Sequence, residues 1–227
     1  MDSTTTAQAV FEKANNLKDN GRIDEAIEEY RRAVDLDYNL AQVHNNLGIL
    51  YKQKGLLEDA LQEYKKAIEL KYDQDQTYDN LGILYADMGR YEKAISSYQE
   101  ALKLNPKNPR VYNNLAIAYD HIGELGTAIK LYKKAIEIKP DMTEAHYNLG
   151  ISYGVIDKFE DSIDELKKAA TLDPVDTDIY YNLGLSYSRA GKIDEAMDAY
   201  KRALELWPDF REARANLEML YKQQKRG

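Results

Sequence analysis

Five short stretches of the chain are variants of one sequence, and they decide its fold. They read HNNLGILY (44–51), YDNLGILY (78–85), VYNNLAIAY (111–119), HYNLGISY (146–153) and YYNLGLSY (180–187). Each places asparagine inside a run with helical spacing, although asparagine is a poor helix former because its amide competes for nearby backbone groups. Their Leu-Gly and Leu-Ala pairs are spaced at multiples of 34 residues without insertion or deletion. The chain is therefore built from a repeated unit. The recurrence of a poor helix former inside each unit requires an explanation.

Each unit carries small residues where two helices would cross. Counted from Ala7, positions 8, 20 and 27 of the unit hold Gly, Ala or Ser in all six copies, while tyrosine recurs at positions 11 and 24. Glycine follows the first helix in five units and Asp157 replaces it in the fifth; proline ends the last four units, where the first two have Tyr38 and Tyr72. Glycine ends a helix and proline cannot continue one, so each unit predicts two helices joined by a turn.

The period and these small and large apolar positions resemble the tetratricopeptide repeat (TPR) over essentially the whole chain. The resemblance implies an all-α, right-handed α-solenoid of antiparallel helix pairs, with six repeats and a C-terminal capping helix in one continuous domain, and a concave face lined by the first helix of each pair (helix A). In the capping helix, Arg214 and Glu218 replace residues that would pack, as suits a helix facing water. The predicted segments are a flexible tail 1–6, repeats 7–40, 41–74, 75–108, 109–142, 143–176 and 177–210, and the capping helix 211–227.

Composition and charge narrow the function classes. Asp and Glu outnumber Lys and Arg 39 to 31, and the resulting net charge of −8 argues against nucleic acid as a partner. Cysteine is absent, which excludes disulfides and thiol nucleophiles. The amino terminus has no basic and apolar leader, and no run of about 18 apolar residues occurs, so we expect a cytoplasmic protein without membrane insertion.

No sequence pattern points to catalysis. HExxH, P-loop, GxSxG and GxGxxG motifs are all missing. His44 and His146 occupy position 4, where an aromatic ring normally packs, so a structural role is favoured over a ligand role. His121 and Asp120 are consecutive helical residues and point in different directions, which makes a weak site. We therefore predict no enzyme activity, no cofactor and no metal.

Asparagine occupies position 6 in every unit after the first. A side-chain amide offers a donor and an acceptor, and so matches both hydrogen-bonding groups of a peptide unit. The series resembles the asparagine ladder of TPR superhelices that hold extended peptides by their backbones. The alternative is that each amide bonds locally between repeats, as buried amides usually do. The predicted ladder consists of Asn46, Asn80, Asn114, Asn148, Asn182 and Asn216.

Two further sets complete the predicted peptide-binding site. Position 9 supplies an apolar stripe one turn along each helix A, unless these side chains are sealed in the core. Position 5, which faces the groove in TPR proteins, holds a tyrosine in two neighbouring repeats; aromatic side chains dominate interface energetics, yet these two could also merely cover helix A neighbours. The stripe is Ile49, Ile83, Ile117, Ile151 and Leu185, and the tyrosines are Tyr147 and Tyr181.

The predicted function is a non-catalytic adaptor that binds an extended or helical segment of a partner protein in its groove. The carboxylate clamp of chaperone-binding TPR domains is disfavoured, because its three cation positions hold Phe11, Gln76 and Asn80. One alternative is a self-assembling scaffold, a homo-oligomer similar to the small all-TPR proteins that coat bacterial magnetosomes. Another is a substrate-recruiting subunit of a separately encoded enzyme. The sequence names no partner.

Overall fold

The structure, a computed structural model, describes residues 6–224 and contains thirteen α-helices and no strand within that range. This confirms the all-α fold class. Residues 1–5 of the predicted tail and 225–227 of the capping helix lie outside the described residues. The helices are α1 Ala7–Asp19, α2 Ile23–Leu36, α3 Ala41–Gln53, α4 Leu57–Glu69, α5 Gln74–Asp87, α6 Tyr91–Leu104, α7 Pro109–His121, α8 Leu125–Ile138, α9 Thr143–Val155, α10 Phe159–Leu172, α11 Thr177–Arg189, α12 Ile193–Leu206 and α13 Arg211–Gln224.

The helices form two compact units, the first ending at Lys107 and the second beginning at Asn108. In each unit an odd-numbered helix A packs against the following even-numbered helix B, and each pair contacts the next. The last helix, α13, packs on α12, and its Arg214 and Glu218 are exposed, as predicted. Thr6 does not belong to a tail, because its side chain accepts a 3.2 Å hydrogen bond from the Ala9 amide and caps α1. No helix between residues 6 and 224 combines the length and apolarity that spanning a bilayer requires.

The turn between helices A and B depends on one residue with positive φ. Gly21 has φ 74°, and the amide after it donates to the Leu17 carbonyl at 2.9 Å, which closes the end of α1. Asp157 adopts the same conformation with φ 60°, and the following amide of Lys158 donates to the Tyr153 carbonyl at 2.9 Å. The fifth repeat therefore keeps the turn without glycine, since Asp tolerates this conformation better than most residues.

In five of the six helix pairs the core is a tyrosine ring packed against a residue without a bulky side chain; the fifth pair has Leu166 in that place. Tyr64 and Tyr98 at position 24 are 1% and 2% exposed. A Cβ atom added to Gly48 would lie 2.6 Å from Cε1 of Tyr64, so the ring fills the space that the missing side chain leaves. Buried alanines at positions 20 and 27 let the helices approach around these rings.

The junction without proline between the second and third repeats is irregular. Helix α4 ends at Glu69, and Lys71 and Asp73 both have positive φ, 58° and 30°. Helix α5 then begins at Gln74, one residue before the predicted boundary. Proline cannot continue a helix and fixes its own φ angle; this junction has Tyr72 in that place, and its backbone turns through two residues with positive φ.

The two position-4 histidines are structural, as predicted. His44 is 3% exposed; its Nε2 lies 3.0 Å from the Tyr38 carbonyl and its Nδ1 2.6 Å from a carboxylate oxygen of Glu63. His146 repeats this arrangement with Pro140 and Glu165. A carbonyl and a carboxylate both accept hydrogen bonds, so at His44 the protonated ring, with two N–H groups, suits the site.

The stability of the first unit is expected to fall as pH rises above neutrality, in part through His44. Burial alone would lower the pKa of His44, but its hydrogen bonds to Glu63 and the Tyr38 carbonyl outweigh burial and raise the pKa. A pKa raised on folding stabilises below the unfolded value of about 6.5, and this stabilisation is lost as pH rises through the folded value. Urea unfolding at pH 6 and pH 9 measures the loss. His44→Phe should show a smaller pH dependence than wild type; an equal dependence in both would contradict the assignment.

Candidate functional site

The apolar stripe at position 9 reaches the surface of both units. Ile49 is 40% exposed, and the other four members are partly exposed. The stripe is therefore available to a ligand along each unit, and the predicted alternative of a sealed core does not describe it.

Three cavities follow the stripe and share one construction. Each lies between position-9 side chains of two consecutive repeats, with the position-6 asparagine of the later repeat on its wall and the position-24 side chain of the earlier helix B on its floor. The second-repeat cavity, of about 360 Å³, lies between Ile49 and Ile83. The fourth-repeat cavity, of about 390 Å³, lies between Ile117 and Ile151, and the fifth-repeat cavity, of about 320 Å³, between Ile151 and Leu185.

The position-6 asparagines also bond between neighbouring repeats. Asn80 Nδ2 donates to Asn45 Oδ1 in the preceding helix A at 3.3 Å, and Asn148 donates to Asn113 over the same distance. These contacts answer the question raised by their low helix propensity, because an amide that joins two A helices offsets a cost of a few tenths of a kcal/mol. Three other position-6 asparagines also donate hydrogen bonds. Asn46 donates to Asn15 and Tyr30, Asn182 to Tyr147 and the Asp178 carbonyl, and Asn216 to Tyr200.

These bonds leave part of each amide for a ligand. An amide nitrogen carries two hydrogens and the amide oxygen accepts further bonds. Asn148 uses one hydrogen on Asn113 while its side chain lines the fourth-repeat cavity. Asn182 uses both hydrogens, at 3.1 Å on the Tyr147 hydroxyl and 2.8 Å on the Asp178 carbonyl, so its oxygen is the group left to accept. Asn114 is partly exposed at the equivalent position of α7.

Position 5 is more deeply packed than the resemblance implied. Asn45, Asp79 and Asn113 are 7%, 0% and 5% exposed, and Asn45 and Asn113 each accept a hydrogen bond from the next helix A. The two predicted tyrosines are partly exposed. Tyr147 accepts the bond from Asn182, and Tyr181 packs 4.8 Å from the Phe210 ring and 6.0 Å from the Tyr200 ring, measured between centroids. The structure thus gives each tyrosine its own partners and leaves part of each ring accessible.

Charges of both signs surround the cavities. Lys52 beside the second-repeat cavity pairs with Asp87 at 2.9 Å. Asp120 and the exposed His121 line the fourth-repeat cavity, and Arg189 lines the fifth. Burial raises the pKa of Tyr147 to about 12, so its hydroxyl stays protonated at neutral pH. Among residues 6–224, no cluster of three or more His, Asp or Glu side chains is placed to hold a metal ion.

The fifth-repeat cavity contains residues that the sequence reasoning missed. Gly154, Phe159, Ser162, Leu166 and Ser186 line it in addition to the stripe and Asn182. The signal was present in the sequence, because Leu166 interrupts the tyrosines at position 24 and Ser162 the alanines at position 20.

Comparison with known proteins supports the repeat assignment. The family model described as TPR repeat matches residues 14–55, 50–89, 84–120, 121–154 and 157–191, and the model described as Tetratricopeptide repeat matches 177–210. No curated protein matches the chain.

Three solved structures with this fold differ in their sequence identity to the chain. The MamA protein is 28% identical, with a TM-score of 0.67 over 73% of this chain and 91% of that one. YrrB, a TPR protein with an unusual peptide-binding site, is 22% identical, with a TM-score of 0.66 over 87% and 98%. PilF of Pseudomonas aeruginosa is 16% identical, with a TM-score of 0.79 over 96% and 97%. With family matches that together run from residue 14 to residue 210, the chain belongs to the tetratricopeptide repeat family.

Proposed function

We propose that the chain is a non-catalytic adaptor that binds an extended or helical segment of a partner protein along its A helices. Its family membership supports a protein-interaction role. The observation that carries the proposal is the recurring cavity, in which two apolar side chains and one amide are presented in the same arrangement three times. Apolar pockets with a few placed polar groups are the usual form of a binding site.

The stripe, the position-6 asparagines and the two tyrosines each have a proposed role in binding, which follows from their chemistry. The stripe receives apolar side chains of the segment, and the asparagine amides contact its backbone with the groups that their inter-repeat bonds leave. The fourth- and fifth-repeat cavities share Ile151, so they are adjacent and take successive buried side chains of one segment. Tyr147 and Tyr181, each partly exposed, add aromatic contact to the segment, and Tyr147 accepts a hydrogen bond from Asn182, which lines the fifth-repeat cavity.

Peptides selected against the chain test this proposal. A library of random twelve-residue peptides displayed on phage is expected to yield binders of wild type whose affinity falls about tenfold or more in Ile151→Asp, because a carboxylate then sits between two apolar cavities without a partner. Ile151→Ala should weaken binding less. Fluorescence anisotropy gives the dissociation constants, and circular dichroism verifies that the variants remain folded.

Val175→Asp is the matched control, since Val175 is 68% exposed, lies in the connector between α10 and α11 and lines none of the three cavities. It should bind the selected peptides like wild type. Equal affinity of wild type and Ile151→Asp, or an equal loss in Val175→Asp, would contradict the proposal.

A self-assembling scaffold is the second candidate function, and one observation favours it. Large apolar side chains of α13 and of the connector before it are exposed: Trp207, Met219 and Tyr221. Exposed apolar side chains of this kind suit contact with another copy of the chain. Light scattering across concentrations separates the candidates, because a molecular mass that stays at 26.1 kDa argues against assembly.

A further inference from the structure

The fifth repeat lacks the tyrosine ring that fills the other helix pairs. Position 24 is a buried tyrosine in five repeats and is Leu166 in the fifth. Where a Cβ atom added to Gly184 would lie 2.4 Å from Cε1 of Tyr200, one added to Gly150 would lie 2.7 Å from Cγ of Leu166. Leucine therefore reaches the helix crossing as the tyrosines do, but it ends there. It supplies neither the outer half of a phenol ring nor a hydroxyl.

The missing hydroxyl has a partner in the neighbouring repeat. Tyr30 accepts from Asn46 at 3.1 Å, and Tyr200 accepts from Asn216 at 3.4 Å, so position 24 of one repeat bonds position 6 of the next. Leu166 and Asn182 occupy these two positions in the fifth and sixth repeats. Leucine cannot accept a hydrogen bond, and Asn182 instead donates its two amide hydrogens to the Tyr147 hydroxyl and the Asp178 carbonyl. Asn182 lines the cavity, and its amide oxygen is left as an acceptor, which a phenol hydroxyl can satisfy as a donor.

The cavity beside Leu166 is open and large enough for an aromatic side chain. Gly154 leaves its wall without a side chain, and an added Cβ atom would meet the nearest group, Ser162 Oγ, at 3.5 Å. A cavity of about 150 Å³ accepts benzene, and this one measures about 320 Å³. Ile151, Phe159 and Leu185 give it apolar walls.

Two charged residues of opposite sign line the cavity and have no ion-pair partner within the described part of the chain. Arg189 and Asp157 both line it, both are exposed, and neither forms an ion pair with any residue from Thr6 to Gln224. A ligand that places an acidic and a basic residue on either side of the buried group would complement this pair of charges.

We propose that the fifth-repeat cavity binds a tyrosine side chain of the partner segment, flanked by one acidic and one basic residue. The tyrosine ring occupies the space that Leu166 leaves, its hydroxyl donates to Asn182 Oδ1, and the flanking charges pair with Arg189 and Asp157. This inference rests on the proposed function and names the chemistry that one cavity recognises.

Short blocked peptides test it on the full chain. The probes are Ala-Ala-Glu-Tyr-Lys-Ala-Ala and the same peptide with Glu and Lys exchanged, because the cavity fixes the flanking charges but not the chain direction. Titration calorimetry is expected to show that one of them binds wild type at least tenfold more tightly than it binds Leu166→Tyr. That variant fills the cavity with the chain's own ring, as in the other repeats, and should keep the thermal stability of wild type. Replacing the peptide tyrosine by phenylalanine should cost about fivefold, the loss of one hydrogen bond.

Gly154→Leu places a side chain in the cavity from α9, so it tests the inference even if Leu166→Tyr does not fold. Ala86→Leu is its control, because Ala86 occupies the same position of the third repeat. The control variant should bind the probe peptides like wild type. Equal binding to wild type and Gly154→Leu, or no binding of either probe to wild type, overturns the inference. If phage-selected peptides still depend on Ile151 in that case, the proposed function stands and the tyrosine assignment alone fails. If they do not, both fail.

Discussion

Replacing Tyr30 by alanine is expected to lower the free energy of unfolding of the first unit by about 3–5 kcal/mol, the range for large aromatic truncations in a core. Tyr30 is fully buried, and its ring centroid lies 5.9 Å from that of Phe11. Its hydroxyl donates to Asn15 Oδ1 at 2.5 Å and accepts from Asn46 Nδ2 at 3.1 Å. Truncation thus opens a cavity and leaves two amides of neighbouring A helices without their shared partner.

Tyr30→Phe separates these two contributions. It keeps the ring and removes the hydroxyl, so it should cost about 1 kcal/mol. Tyr221→Ala serves as a surface control, because that ring is 41% exposed and its loss should cost less than about 1 kcal/mol. Because each repeat is stabilised chiefly by its neighbours, urea unfolding should be combined with hydrogen exchange of α2 and α3. A cost for alanine no larger than that for phenylalanine would contradict the packing described.

Gly184→Ala should destabilise the second unit by about 1–3 kcal/mol, the usual cost of overpacking. Alanine is intrinsically the better helix former, by roughly 1 kcal/mol, so propensity alone predicts the opposite sign. The new Cβ atom would lie 2.4 Å from Cε1 and 2.6 Å from Cδ1 of Tyr200, so this ring, which is 1% exposed, would have to shift. Thermal unfolding followed by circular dichroism measures the difference.

Gly126→Ala is the matched control in the same unit. Gly126 lies in α8, and a Cβ atom there would meet nothing within 4 Å. The substitution should leave stability unchanged or raise it by up to about 1 kcal/mol. If the two glycines respond alike, helix propensity decides both effects and the close approach at Gly184 has no energetic consequence.

The helices and their crossings could be predicted from the sequence, because residues of the same type recur at the same positions of six 34-residue units. The positive φ at the turn glycines and the buried rings at position 24 follow from residue type alone. The irregular junction at Lys71 and Asp73 could not be placed, since sequence shows that proline is missing but not how the backbone turns without it.

The candidate site was less accessible to sequence reasoning. Asparagine at position 6 was compatible with ligand contact and with bonds between repeats, and the distances from Asn80 to Asn45 and from Asn148 to Asn113 show the second. Position 5 was expected to face a groove, whereas Asp79 is fully buried and Asn45 and Asn113 bond to the next helix A. Burial between repeats depends on the angle between helix pairs, which the residues of one helix do not specify. The fifth-repeat cavity likewise arises from several departures acting together, at Gly154, Ser162 and Leu166.

Isoleucine methyl NMR on the full chain tests most directly the claim that a partner segment binds along the A helices. Ile83, Ile117 and Ile151 belong to the stripe. Ile27, Ile95 and Ile163 are buried in B helices, and their methyl signals serve as internal controls in the same spectrum. Titration with a phage-selected peptide is predicted to shift the stripe methyls, Ile151 most, and to leave the helix B methyls in place. Shifts confined to helix B methyls, or a bound peptide that moves none of the stripe methyls, would contradict the account.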